Sequence, residues 1–450
     1  MNTKNSSVKI FLAIVSLIIT FFVWQQGLKE SLNRPSVSFD ISQKEFEISE
    51  LAMPAVPENL KIFFPNSVRK EMKNSLSKIS FSELTERSRL IWIILQNPEK
   101  QIDQSYFNRF DNPIYLNISQ NLYKSYLSKS YKPSIKIISD LKNDKYLFNL
   151  VSDKFNFNKD EIITNSLAKF MFFKLIIIRT IPLLSILVGT LLVIKSLWRI
   201  IKLKKINWAD YEPLNLNALD MILLVSGGFV VLGEVVSPLI SITLVELFSK
   251  NFSYEITQSL RIFLGYLFMA LPPLYIIYKQ IKFTDKQFSL EKDYFQFRIK
   301  PIKESIYQGF KGWIMIIPFV LLTSLIMNLI VKNQAGSNPL LEIVLNTNNY
   351  FAFILLFLTT TLIAPLFEEI IFRGVLLPVF ARDFGKVFGI FISSFVFALA
   401  HLSLNEFPPL FILGIGLAAT RLISGRLSSS VIMHSFWNGL TFLNLFLLRT

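Results

Sequence analysis

The chain has 450 residues, of which 52% are hydrophobic, and its mean hydropathy is +0.44, too apolar for a wholly water-facing surface. Lys plus Arg exceed Asp plus Glu by 47 − 32 = 15, but the cations sit beside apolar stretches, where orientation signals belong, and nucleic acid is set aside as a partner. Cysteine is absent, which removes disulfides, thiolate catalysis and Cys-based metal sites, and histidine occurs only twice.

In chain order, Ile10 to Trp24 is an apolar run behind Lys4 and Lys9. The bulky Trp24-Gln25-Gln26 that follows offers no small-residue cleavage signal, so 1–28 is expected to be a retained membrane anchor. Residues 29–166 are rich in Lys, Asn, Ser and Asp, with breaks at Pro54, Pro57, Pro65, Pro98 and Pro133. Helical spacing of Leu84, Leu90, Trp92 and Leu95 within 82–96, and a weaker pattern over 141–155, predict a small, mostly helical extramembrane domain that serves as a tether or docking module. Apolar stretches then recur at 171–198, 219–247, 259–279, 307–331, 350–382, 387–404, 409–424 and 429–448. A bilayer core takes about 20 residues per helix, so these are expected spans. The chain is thus expected to be an all-α polytopic membrane protein of about nine transmembrane helices. Its membrane part divides into helices over 167–331 and a core over 332–450.

The connections alternate in charge. Arg199, Lys202, Lys204 and Lys205 follow one span, seven Lys/Arg lie between Lys279 and Lys303 inclusive, and Arg382 with Lys386 and Arg421 with Arg426 mark two more. The intervening connections carry Lys250, Lys332 or no cation. The positive-inside rule then places the N-terminus on the cytoplasmic side, with the 29–166 domain and the C-terminus opposite.

Charged groups inside apolar helices are costly and need a reason. Ala364-Pro365-Leu366-Phe367-Glu368-Glu369-Ile370-Ile371-Phe372-Arg373 holds two acids and a base. Glu369 and Arg373 stand four apart in the acid-first order that favours an ion pair, which leaves Glu368 available on another face. Both histidines fall in the last 50 residues, His401 and His434 each in an apolar helix, and His434 shares a face with Asn438. Glu368 lies 17 residues before Gly385 and His401 16 after it, so two continuous arms would carry both to about 24–26 Å from that turn. A Glu and a His side by side can deprotonate water, and His434 with Asn438 can donate to an oxyanion. His434 stands only about two turns beyond Arg426 and is expected to be shallower.

Glu368-Glu369-x-x-x-Arg373, Phe397-x-x-x-His401 and His434-x-x-x-Asn438, in this order over 330–450, resemble the CPBP family. That family groups the CAAX prenyl endopeptidases with the bacterial Abi and lysostaphin-resistance-type proteins, labelled intramembrane metalloproteases. The resemblance implies a bacterial membrane endopeptidase in which Glu368 and His401 activate water, His434 and Asn438 form the oxyanion site, and Glu369 and Arg373 support them. Its implied substrate is a membrane-embedded or lipid-anchored protein. Glu368, His401 and His434 are the alternative ligand set for Zn2+, but an Asn four after a His is a poor zinc ligand and no His-Glu-x-x-His is present, so metal-free water activation is favoured. A catalytically idle scaffold or immunity-type protein of the same fold is the rival reading. A proton-coupled transporter is a third, but residues 171–331 hold no matching half, despite Glu234.

Overall fold

The computed structural model describes residues 3–32, 37–63, 67–96, 103–128, 131, 133–134, 139–157, 164–204, 206, 208–212, 214–285, 287–289, 291–331, 339–347 and 349–449. Every regular element among them is helical. In chain order the helices are α1 (Thr3–Ser31), α2 (Val37–Ala52), α3 (Val68–Leu76), α4 (Glu86–Leu95), α5 (Pro113–Leu127), α6 (Lys145–Lys154) and α7 (Asn165–Leu203). There follow α8 (Ala218–Phe248), α9 (Tyr254–Thr284), α10 (Ile302–Val331), α11 (Pro339–Asn346), α12 (Tyr350–Phe384), α13 (Lys386–Leu399), α14 (Phe407–Ser424) and α15 (Leu427–Leu448). Eight of them, α1, α7, α8, α9, α10, α12, α14 and α15, are long and apolar enough to cross a bilayer. The ninth expected span is the 14-residue α13, about 21 Å long. The protein is an all-α, multi-pass membrane protein.

Two compact units divide the chain: Met1–Val37 with Pro182–Phe446, and Ser38–Ile181 with Leu447–Thr450. The second unit is built from capped amphipathic helices. Ser67, Thr85, Asn112 and Asp144 each accept an N–H in the first turn that follows, which satisfies donors no helix can pair internally. The apolar face of α4 differs from the expected one. Leu90 is buried, but Ile91, Ile93 and Ile94 complete the face, while Trp92 stacks on Tyr106 at 5.8 Å. Six apolar residues in a row, Leu90 to Leu95, give no period to read, so packing chose the face. At the polar seam Arg87 bridges three helices, donating to Glu47 of α2 at 2.5 and 2.9 Å and to the α6 cap Asp144 at 2.6 and 3.0 Å.

In the membrane unit, helices approach closely where side chains vanish. A Cβ on Gly189 of α7 would lie 2.3 Å from the Ile314 carbonyl of α10, and one on Gly414 of α14 would lie 2.9 Å from Ser394 of α13. The N-terminal helix packs into this unit. Lys9 pairs with Asp220 at the start of α8, and Thr20 Oγ1 donates to the Ser226 carbonyl. Further along, Gly27 abuts Leu402, and Ser31 Oγ accepts from the Leu404 N–H at 3.3 Å.

Candidate active site

The site is assembled on α12, whose hydrogen-bond ladder changes register twice. The segments Thr359–Ile363 and Ile370–Leu376 are π-helical and flank an α-helical Ala364–Glu369. The first has a readable cause. The hydroxyls of Thr359, Thr360 and Thr361 bond back to the carbonyls of Leu355, Leu356 and Phe357 at 2.7, 2.9 and 2.7 Å, which competes with the α-helical ladder. The Ala364 N–H then reaches Thr359 instead of Thr360. In that register the next donor would be residue 365, a proline with no N–H. The Thr360 carbonyl is left over, and the Asn438 Nδ2 takes it at 2.8 Å.

Glu369 and Arg373 form the expected pair, Nη1 to Oε1 at 2.9 Å, with both residues fully buried. Arg373 also donates to the Gly414 carbonyl at 3.1 Å and stands 4.3 Å from the Phe397 ring centroid. The same Glu369 oxygen accepts from His434 Nδ1 at 3.0 Å. A carboxylate only accepts, so the Nδ1 proton is fixed there and Nε2 is directed elsewhere. It lies 3.9 Å from Glu368 Oε2. That distance is too long for a hydrogen bond, and Glu368 Oε2 is buried with no hydrogen-bond partner among the described residues.

His401 departs from expectation in its setting. Helix α13 ends at Leu399, and the imidazole sits in the turn beyond it rather than inside the span. Its Nδ1 bonds to the Phe397 carbonyl at 2.8 Å. A carbonyl cannot donate, so Nδ1 carries the proton and Nε2 is left as the basic nitrogen. The Phe397 ring lies against both imidazoles, with centroids 4.8 Å from His401 and 5.6 Å from His434.

Glu368, His401, His434 and Asn438 line one cavity of about 280 Å³, large enough for water and for a segment of chain. The shallow placement expected of His434 does not hold, because α15 starts deep. The N–H groups of Leu427 and Ser428 bond to the carbonyls of Gln296 and Phe297, and a Cβ on Gly374 would lie 3.3 Å from both Leu427 and Phe295. The first turn of α15 therefore stands level with Gly374, eleven residues inside the Gly385 turn, and two turns more bring His434 to Glu369. Sequence reasoning missed Tyr266, Thr360, Glu406 and Trp437, which also line the cavity. Of these only Thr360 carries a sequence signal, the threonine run before Pro365. As placed, the described side chains do not form a three-ligand metal site. Among the described residues no three His, Cys, Asp or Glu side chains converge closely enough to share an ion, although the Nδ1 bonds of both histidines leave each Nε2 available.

Fold and cavity together define a multi-pass helical membrane protein with a buried glutamate, two histidines and an asparagine near its C-terminal end. Residues 350–440 match the family model described as type II CAAX prenyl endopeptidase Rce1-like. The match supports the likeness of this segment to the CPBP family, the kind that contains the CAAX-type intramembrane proteases. A second model, a domain of unknown function (DUF8675), matches residues 38–173. No curated protein and no solved structure matches the chain.

Proposed function

We propose that the cavity is the active site of an endopeptidase that hydrolyses a peptide bond within or beside the membrane. A water held between Glu368 and His401 gives its proton to one of them as its oxygen attacks the scissile carbonyl carbon. Negative charge moves to the carbonyl oxygen, where His434 Nε2 and the second Nδ2 hydrogen of Asn438 are donors within the same cavity. Because Nδ1 of His434 already holds a proton against Glu369, donation from Nε2 requires a second proton on the ring. Collapse of the tetrahedral adduct breaks the C–N bond, and the proton taken from water passes to the leaving amine. The products are one carboxyl terminus and one amine.

The observation that carries this reading is the buried, unpartnered Oε2 of Glu368 facing an oriented imidazole. An idle scaffold has no use for such an atom, whose burial without a partner costs on the order of 1–3 kcal/mol or more. The substrate class that suits the setting is a membrane-embedded or lipid-anchored protein, and metal-free activation suits the donor set. Positive-inside charge supports a cytoplasmic N-terminus. The deciding experiment uses purified protein and a fluorogenic membrane peptide. Glu368→Gln should lower turnover by about 10²-fold or more, the scale of a lost general base, with the thermal melt unchanged. Undiminished cleavage by that variant overturns the proposal. Recovery of chelated protein only on adding Zn2+ overturns the metal-free part alone.

A further inference from the structure

A second cavity, of about 400 Å³, lies between α7, α10 and α14 and shares no lining residue with the active-site cavity. Its floor is the seam where α10 and α14 nearly touch. A Cβ on Gly312 would stand 2.3 Å from Thr420 Oγ1, and one on Gly416 would stand 2.7 Å from Ile316, so both positions hold the seam flat. The cavity is graded along its length. Arg199 near the end of α7, with Gln308 and Lys311 near the start of α10, lines one end. Val193, Met315, Ile316, Phe319 and Ile415 line the other. Because α7 ends where α10 begins, the cations of both helices meet at one end, and Gln308 to Phe319 spans about 16 Å of helix.

Among the described residues no acidic one lines the cavity. The nearest acid on α10, Glu304, accepts from Gln308 at 2.6 Å. Neither Arg199 nor Lys311 has an acidic partner among the described residues. An apolar slot one acyl chain long, closed at one end by two cations, is complementary to a lipid whose head carries a phosphate and no cation to balance it. A zwitterionic head would bring its own cation against Arg199 and Lys311. We propose that this slot is a binding site for one anionic phospholipid, with its phosphate at Arg199 and Lys311 and one chain along the Gly312–Gly416 seam.

The test uses full-length protein in neutral detergent, given phosphatidylglycerol or phosphatidylcholine, with retained lipids counted by native mass spectrometry and thermal melting read in parallel. Wild type should keep one phosphatidylglycerol about tenfold more tightly than phosphatidylcholine, the scale two cations supply at an anionic head. That lipid should raise the melting temperature, and the Arg199→Gln/Lys311→Gln double variant should lose both effects. The single variants Arg199→Gln and Lys311→Gln give the same reading at smaller amplitude should the double variant fail to fold. Equal retention of the two lipids, or undiminished retention by the variants, means an annular lipid only and overturns the proposal. So does stabilisation by soluble glycerol phosphate equal to that by the lipid, since the acyl slot would then contribute nothing.

Discussion

Glu369 shares its carboxylate between Arg373 and His434, whereas the neighbouring Glu368 keeps one oxygen free in the cavity. The i,i+4 spacing was enough to separate these two acids on paper, because only Glu369 stands one turn before Arg373. The further bond from Glu369 to His434 was not legible, since it joins residues 65 apart and depends on where α15 begins. Buried pairs of this kind are fragile to the loss of one partner. Arg373→Met should destabilise the membrane unit by about 3–5 kcal/mol, as Glu369 would be left charged among apolar neighbours. The Glu369→Gln/Arg373→Met double variant should recover most of that loss, with thermal melts of the two variants and Glu369→Gln closing the cycle. A single variant as stable as wild type would mean that His434 alone suffices to balance Glu369.

Among elements, α12 and α15 show what periodicity can and cannot deliver. Hydropathy located both, and the motif residues lie on them, with His434 deeper than expected. Two of its inputs failed: the continuous α-helical arms assumed for α12 and α13, and the start of α15. The first fails at the π-helical Ile370–Leu376, inside the arm from Glu368 to Gly385, and at Leu399, where α13 ends before His401. The second follows from the 291–300 segment bonding the first turn of α15, a tertiary contact with no local trace. In the other unit the equivalent hub is Arg87, which ties α2, α4 and α6. Burial opposes the charge on Asp144, but the hydrogen bond and charge of Arg87 outweigh it and hold the carboxyl below its ordinary 3.8. A lowered folded value means that this contribution is complete above the unfolded value and fades as pH falls through the folded one. The unit should therefore lose stability below about pH 4, and Asp144→Asn should flatten that part of the curve, measured as melting temperature against pH in the full-length protein. An unchanged acid limb in the variant would count against Asp144 as its source.

Across the whole membrane unit, the N-terminal helix makes contacts that run toward the active site. Its apolar run and flanking lysine identified it as a membrane helix, but nothing in residues 1–28 indicates what it packs against. Lys9 meets Asp220, Ser16 faces Gly227, and Thr20 bonds to Ser226, so α1 follows α8 turn by turn. Beyond α8 it reaches the loop that carries His401. Gly27 lies so close to Leu402 that a Cβ would stand 2.8 Å from its Cδ1, and Ser31 caps the Leu404 N–H. Leu402 is itself held at a φ of +50°, which costs energy in a branched residue and leaves little room for adjustment. A side chain larger than methyl at position 27 must therefore displace Leu402, and His401 is the adjoining residue. Gly27→Leu should reduce peptide turnover by about tenfold or more, as small misplacements of a catalytic group do. Because the strain is confined to one loop, its thermal melt should stay close to that of wild type. Gly27→Ala, which asks only for a shift at the tip of a flexible leucine, should fall between the two. Wild-type turnover in Gly27→Leu would show that α1 merely lies beside the loop and does not set the position of His401.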